Sequence, residues 1–255
     1  MASKTQENLV GAQFDPRAAA YVTSAAHAQG EDLQRLAAMA AGHGQDRALD
    51  LGCGGGHVAF ALAPHVKEVV AYDLAPAMLQ AVAREGARRG LTNIATRQGV
   101  VEALPFPDAA FDFVATRFSA HHWHDLYAAL REARRVVRPT GRAAFIDAIS
   151  PGTPLLDTYL QAVELFRDPS HVRDYSAAEW TEALDRTGFR LVAASTRRLP
   201  IAYQPWIDRM KTPAVQAQAI RAVQSVMPEE VVRHFEIAGD GSFVLDVLML
   251  EAVPR

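Results

Sequence analysis

The stretch RALDLGCGGGHVAFALA, residues 47–63, decides the fold. A short apolar run carries an acid, Asp50, and glycines then occupy 52, 54, 55 and 56 before a helix-like apolar pattern resumes at His57. Glycine adopts backbone conformations closed to other residues and lets a ligand come close to the chain. A helix that starts directly afterwards offers unpaired N–H groups. A bare backbone between a buried strand and a helix is the arrangement that receives a nucleotide in an open α/β sheet.

Working outward, EVVAYDL reads as a second strand and PAMLQAVAREGARRG as a helix with proline in its first turn and glycine after its end. NIATRQG and FDFVATRF read as strands, HDLYAALREARRVVR as a helix and GRAAFIDAI as a strand. Strands alternating with helices over this length imply a parallel sheet with helices on both faces. Upstream, helices are expected from about Pro16 to just before Gly30 and over EDLQRLAAMAAGHG. Downstream, two helical segments lead to strand FRLVAAST. The chain closes with FEIAGDGSFVLDVLMLEAV, two apolar runs around Gly-Asp-Gly, a hairpin signal. The expected organisation is a helical cap over residues 1–44, a core over 45–198 and 236–255, and a helical insertion over 199–235 that acts as a lid on the acceptor site.

The loop chemistry narrows the ligand. A dinucleotide fingerprint is Gly-x-Gly-x-x-Gly, and here Gly52 and Gly54 fit but the third place is His57. No Gly-Lys-Ser/Thr follows, so the phosphate-binding Walker pattern is absent. The spacing is instead Asp-x-Gly-x-Gly-x-Gly over residues 50–56. S-adenosylmethionine has no phosphate but has an ammonium tail, near which Asp50 supplies charge. Asp73, at the end of the second strand, stands where an acid reaches a ribose.

Taken together, LDLGCGGGHVA, VVAYDLAPAMLQAV, GVVEALPFPDAAFDFVATRFSAHHW and LREARRVVRPTGRAAFID resemble the motifs of the class I S-adenosylmethionine-dependent methyltransferases. The resemblance is strongest to small bacterial members related to the ubiquinone/menaquinone C-methyltransferases. It implies a Rossmann-like, seven-stranded, mostly parallel sheet with an antiparallel terminal hairpin and helices on both faces. It implies S-adenosyl-L-methionine as cofactor, with Asp50, Gly52, Cys53 and Gly54 along its methionine part. Asp73 would accept the ribose hydroxyls, with Leu74 and Met78 beside the adenine. Val100, Val101 and Glu102 would border the adenine edge. Many relatives carry Gly-Asp-x-Glu there, whereas this chain has Gly99-Val100-Val101-Glu102, which leaves the adenine amino group to backbone atoms. Arg117 and Phe118 would lie beneath the sulfonium, and Tyr21 and His27 would cover the site.

The acceptor side is less determined. In HHWH, His121 or His122 is expected to face the acceptor and take a proton near neutral pH, and Arg117 is the third candidate catalytic residue. Adjacent histidines point different ways and no HExxH or cysteine partner follows, so no metal is expected. His171 and Arg173 either clamp an acidic acceptor or, as favoured here, pair with Asp168 or Asp174. Tyr203, Trp206 and Met210 either wall an acceptor pocket or, more commonly at such spacing, lie in the core. Cys53 reads as a small loop residue.

Composition bounds the rest. A formal charge of -3 over 255 residues disfavours a nucleic-acid partner. A single cysteine excludes an internal disulfide framework and fits a reducing compartment. Without a leader-like apolar run or an apolar stretch of the ~18 residues that span a bilayer, a cytoplasmic protein with no membrane insertion is expected. The partner expected is a small-molecule methyl acceptor, and the chain a monomer or homodimer. The alternatives are a non-catalytic S-adenosylmethionine-binding regulator and an NAD-dependent oxidoreductase.

Overall fold

A computed structural model of the chain describes residues 5–18, 21, 30–44 and 46–255. The elements run α1 (Gln6–Phe14), α2 (Glu31–Ala40), β1 (Arg47–Leu51), α3 (His57–Leu62), β2 (Glu68–Asp73), α4 (Pro76–Arg88) and β3 (Ile94–Gln98). Then follow β4 (Phe111–Arg117), α5 (Leu126–Val136), β5 (Val137–Ile149), α6 (Pro154–Arg167), α7 (Ala177–Arg186) and β6 (Phe189–Ile201). Helices α8 (Tyr203–Met210), α9 (Ala214–Val226) and α10 (Glu229–His234) precede β7 (Phe243–Pro254). The strands form one seven-stranded sheet in the order β3-β2-β1-β4-β5-β7-β6, parallel except where β7 runs antiparallel to both β5 and β6.

The period of two along each strand builds the two sides of the core. Leu49, Leu51, Val70, Tyr72 and Val114 face α5 and α7, which contribute Leu130, Ala133, Trp180 and Leu184. Ala48, Val69, Ala71, Phe113 and Ala115 face α2, α3 and α4, which contribute Leu36, Phe60, Leu62, Leu79 and Val82. Alternate residues of a strand therefore bury against opposite helix layers, which is why the central strands read as continuous apolar runs. Strand order reverses between β1 and β4, and the switch opens a crevice at their carboxyl ends.

Three expectations shift. A helix begins earlier than Pro16: Thr5 caps α1 by accepting from Asn8 N at 3.3 Å. Pro16 lies in the short 3-10 turn Asp15–Arg17, and residues 22–29 fall outside the described ones. β5 starts directly after α5, at Val137, so Pro139 lies within a strand rather than beyond a helix end.

The antiparallel end of the sheet is present, but β7 has β6 as its neighbour. Gly-Asp-Gly does reverse the chain, with Ala238 N donating to Ser242 O at 2.8 Å and Val244 N to Phe235 O at 2.7 Å. Its first arm is the end of α10, because Phe235 packs on Tyr159 of α6 with ring centroids 4.8 Å apart. The three helices between β6 and β7 share a core with α6 built on Tyr203, Trp206, Ile207, Ile220 and Val231.

Candidate active site

The glycine loop is folded by the strand beside it. Gly52 N and Cys53 N both donate to Tyr72 O at 2.9 Å, turning the chain sharply at the end of β1. Gly52 adopts φ +70°, and a β-carbon there would sit 1.9 Å from Ser119 Oγ, so no other residue fits. Asp73 holds the far side of the turn. Its Oδ2 accepts from Gly54 N at 2.8 Å and its Oδ1 from Ala75 N at 2.9 Å. Each oxygen keeps a further lone pair. Burial raises the Asp73 carboxyl above its ordinary value, against the pull of these N–H groups.

This loop floors a cleft whose space, open mouth included, is about 990 Å³. Of the residues singled out from sequence, Tyr21, Gly52, Cys53, Gly54, Asp73, Leu74, Met78, Val100, Val101, Glu102, Arg117, Phe118 and His122 line it. His27 lies outside the described residues. Burial drives the Cys53 thiol far up, out of nucleophilic range. The Val100 side of the cleft is set by Tyr72, whose hydroxyl donates to Val100 O at 3.0 Å. That ring would collide with any β-carbon at Gly99, 2.0 Å from the hydroxyl oxygen.

Two of the residues expected to touch ligand are turned away from the cleft. Asp50 is 1% exposed and its Oδ2 accepts from Ala59 N at 2.9 Å, in the first turn of α3. It caps that helix and positions the loop, instead of lining the methionine end. Burial pushes its carboxyl up to about 7. His121 points behind the wall, its Nδ1 2.6 Å from Asp147 Oδ1. Burial disfavours a charged imidazole there, but the Asp147 carboxylate outweighs it and carries His121 up to about 9, so His121 is no base for the acceptor. Arg117 does line the cleft, yet its guanidinium is committed to Asp32, Nε to Oδ2 at 2.7 Å, with both side chains 3% exposed. Burial alone would raise Asp32, but Arg117 and Arg197 outweigh it and hold it below the usual carboxylate range. Arg117 is thus a buried brace between β4 and α2.

His122 and His124 of the HHWH cluster both line the cleft, and His122 is the more buried one, its Nε2 4.0 Å from Asp168 Oδ2. Its Nδ1 lies 3.2 Å from Ser170 O, which can only accept, so Nδ1 carries the hydrogen and Nε2 keeps its lone pair. Burial first, and then the neighbouring His121 with ring centroids 4.2 Å away, push His122 down to about 4. His171 and Arg173 take the structural option. Arg173 pairs with Asp157 and Glu179 instead of Asp168 or Asp174, and His171 Nε2 meets Gln161 Oε1 at 2.9 Å. Tyr203 and Trp206 are core residues, with Tyr203 donating to Ala217 O at 2.7 Å. Met210 is buried and its sulfur receives the Tyr21 hydroxyl at 3.1 Å. The 199–235 helices thereby reach the back of the cleft wall.

Sequence reasoning expected a helical cap here but did not name the α1 residues that form it. Gln6, Glu7, Val10 and Phe14 of α1 line the cleft, and Gln6 Nε2 ties that helix down by donating to His122 O at 3.2 Å and Ser170 O at 2.7 Å. Phe14 meets Tyr21 and His122 edge-on at 5.5 and 4.9 Å. The available signal was Thr5 as a cap with Val10 and Phe14 four residues apart. His57, in the place of the third glycine, bonds Tyr21 O through Nε2 at 2.9 Å and so joins the roof to the loop. Ser119 and Trp123 also line the cleft, with Trp123 Nε1 donating to Ser119 Oγ at 3.1 Å.

A Rossmann-like sheet with a glycine loop, an acid at the end of β2 and an aromatic-roofed cleft defines a nucleoside-binding enzyme class. The family described as "Methyltransferase domain" matches residues 49–145. Over 197 residues the chain is 45% identical to the uncharacterized protein YafE of Escherichia coli (strain K12), covering 77% of this chain and 95% of that one. It is 35% identical over 207 residues to the uncharacterized methyltransferase YcgJ of Bacillus subtilis (strain 168), 81% and 82% of the two chains. The crystal structure of YcgJ superposes with a TM-score of 0.83 at 31% identity, covering 88% of this chain and 98% of that one. A more distant relative is the 2-phytyl-1,4-naphthoquinone methyltransferase of Synechococcus elongatus, 34% identical over 141 residues, 53% and 60% of the two chains. The chain belongs to the S-adenosylmethionine-dependent methyltransferases. Among the described residues no helix is long and apolar enough to cross a membrane.

Proposed function

We propose that this methyltransferase moves the methyl group of S-adenosyl-L-methionine to a small, largely apolar acceptor, with His122 receiving the acceptor's proton. The observation that carries this reading is the mixed lining of one cleft. The glycine loop and Asp73 bring polar groups to it, and Val10, Phe14, Tyr21, Phe118 and Trp123 bring aromatic and aliphatic surface beside His122.

The polar groups fit the cofactor. Gly54, at φ +47°, has nothing within 4 Å of where a β-carbon would lie, leaving the backbone open to a ligand. Asp73 would accept the ribose hydroxyls on its remaining lone pairs, Leu74 and Met78 would flank the adenine, and Val100 and Val101 would border its edge. Gly52, Cys53 and Gly54 would follow the methionine part, with Phe118 near the sulfonium. When bound, the cofactor supplies a methyl carbon already activated by its sulfonium. The chain's own tasks are alignment, exclusion of water and removal of a proton. The α1 roof and the Tyr21–His57 link exclude water. Phe118 is held at φ +52° by its N–H donating to Ile146 O at 2.9 Å, which fixes the ring in the cleft wall. His122 presents a neutral imidazole, the form that accepts a proton.

The acceptor's character follows from its wall. Aromatic walls from Phe14, Tyr21, Phe118 and Trp123 favour a planar, apolar molecule, and His122 among them favours one that bears an ionisable group. The naphthoquinone methyltransferase relative, as named, acts on an aromatic of this kind. The test measures S-adenosylhomocysteine release against a panel of reduced naphthoquinones, phenols, and short carboxylic acids. Turnover confined to the apolar aromatics is expected, and His122→Gln should lower kcat by about 10²–10⁴-fold while cofactor affinity stays within about twofold. Turnover only with the carboxylic acids, or an unimpaired His122→Gln enzyme, would refute the assignment.

A further inference from the structure

The geometry points to a site for one divalent transition-metal cation held by His121, Asp147 and Asp174, directly behind the wall that carries His122. His121 comes from the turn after β4, Asp147 from β5 and Asp174 from the segment ahead of α7. One nitrogen and one carboxylate oxygen from each acid all lie within 4.8 Å of one another.

What marks a ligand here is an unpaired group. Asp174 is 2% exposed and its Oδ2 is buried with no hydrogen-bond partner among the described residues. Its backbone cannot swing away, because Asp174 N donates to Gln161 Oε1 at 3.1 Å and Asp174 O accepts from Gln161 Nε2 at 2.8 Å. The nearest base, His171 Nε2, is 4.0 Å distant and already gives its hydrogen to Gln161. His171 Nδ1 is likewise buried with no hydrogen-bond partner among the described residues. The guanidinium groups nearby are committed, Arg173 to Asp157 and Glu179 and Arg167 to Glu164. A buried carboxylate keeps neither its charge nor its lone pairs without compensation.

One imidazole and two carboxylates are the donors that Mn²⁺, Fe²⁺ and Zn²⁺ accept, and two carboxylate charges match one divalent ion once the ion has displaced the proton that His121 shares with Asp147. Ligand atoms around an ion bound at about 2.1 Å sit roughly 3–4 Å apart, so the three groups, all within 4.8 Å of one another, need only small shifts, the 2.6 Å His121–Asp147 pair opening to admit the ion. The frame is ready for that, since His121 O already receives Val172 N at 2.8 Å and Arg173 N at 3.3 Å. His121, with a side chain 17% exposed, is the side from which an ion would enter. Bound there, the cation would lock the His121–Trp123 turn and the 168–174 segment to β5 and so hold His122 in place. The ligands come from three separate elements, which is why the HHWH spacing showed no metal pattern.

The test uses the full chain stripped with a chelator and then titrated with Mn²⁺ by electron paramagnetic resonance and with Zn²⁺ by calorimetry, so it does not depend on methyl transfer. One equivalent per chain is expected, accompanied by a rise in Tm. Asp174→Asn should weaken binding by at least about 100-fold, the upper end of what losing even an outer-shell partner costs. The exposed pairs His43–Asp46 and His234–Asp246 are controlled by the double variant His43→Gln/His234→Gln, in which uptake should persist. If Asp174→Asn does not fold, His121→Gln takes its place. If neither folds, uptake by the double variant alone decides. No saturable uptake by the wild-type chain, uptake unchanged in a folded Asp174→Asn or His121→Gln protein, or uptake lost in the double variant overturns the proposal.

Discussion

Asp50→Asn isolates the electrostatic cost built into the cofactor loop. Asp50 is 1% exposed, caps α3 through Ala59 N, and has its carboxyl pushed up to about 7 from an ordinary 3.8 by burial, with the nearby Asp73 adding to the rise. The folded chain therefore binds this proton more tightly than the unfolded chain does. Between pH 3.8 and about 7 the folded state holds more protons, so this group's contribution to stability falls as pH rises and levels off above the folded value. A shift of about three units corresponds to roughly 4 kcal/mol. Asparagine keeps an oxygen for Ala59 N–H and removes the titration. Relative to wild type, Asp50→Asn should be within about 1 kcal/mol at pH 4, gain steadily from pH 4 to 7, and lead by about 2–4 kcal/mol at pH 8. The assay is urea unfolding of both proteins at half-unit pH steps, reading only the difference, so that every other titrating group cancels. An Asp50→Asn protein less stable than wild type at pH 8, with a difference that does not move with pH, would show the carboxylate to be charged and paired, and the capping argument would fail.

Asp32→Asn removes the carboxylate that pairs with the buried Arg117 guanidinium, and loss of one partner of a buried pair costs up to about 3–5 kcal/mol, a drop that chemical denaturation will register. Gly52→Ala imposes a side chain at φ +70° against Ser119, costing at least about 1–2 kcal/mol for the backbone alone. Calorimetry with S-adenosylhomocysteine should show its affinity falling along with stability. Asp73→Ala removes the acceptor for Gly54 N, Ala75 N and the ribose together. S-adenosylhomocysteine binding should weaken by about 1–3 kcal/mol, and unchanged affinity would take Asp73 out of the ribose contact. Gln6→Ala frees α1 from His122 O and Ser170 O, so KM for the acceptor should rise while the cofactor Kd moves little, a split that steady-state kinetics with equilibrium binding resolves.

The fold was largely legible because its signals are local. Asp50, the glycines and Asp73 fall within one strand–loop–helix–strand unit, and their spacing alone placed β1, the turn and β2 correctly. The period of two hidden inside the apolar strands did not need to be seen, since both faces are covered. The antiparallel end was legible as an outcome but not as a pairing. Gly-Asp-Gly is a turn signal whatever flanks it, and the long-range packing of Phe235 on Tyr159 decided that its first arm is helical.

The site was legible only where a side chain's neighbours in sequence are its neighbours in space. Residues of the loop and of the 99–102 segment were placed on the cleft for that reason, whereas Asp50 turns to Ala59 of the helix that follows, and His121 and Arg117 have partners that stand far off in the chain. Arg117 meets Asp32, His121 meets Asp147, and neither pairing leaves a trace in any motif. The same argument explains the roof. Gln6 reaches Ser170 across 164 residues, a contact no spacing announces. The α1 and 119–124 walls of the cleft are thus assembled from segments that share no local pattern, while the glycine loop and Asp73 come from one. On the proposed reading, acceptor preference can change through the α1 side chains that line the cleft. It follows that Val10→Ala should alter which acceptors turn over while cofactor affinity holds within about threefold, as expected for separate contacts whose effects add. A change in cofactor affinity larger than the change in acceptor preference would show the two sets of contacts to be one coupled unit.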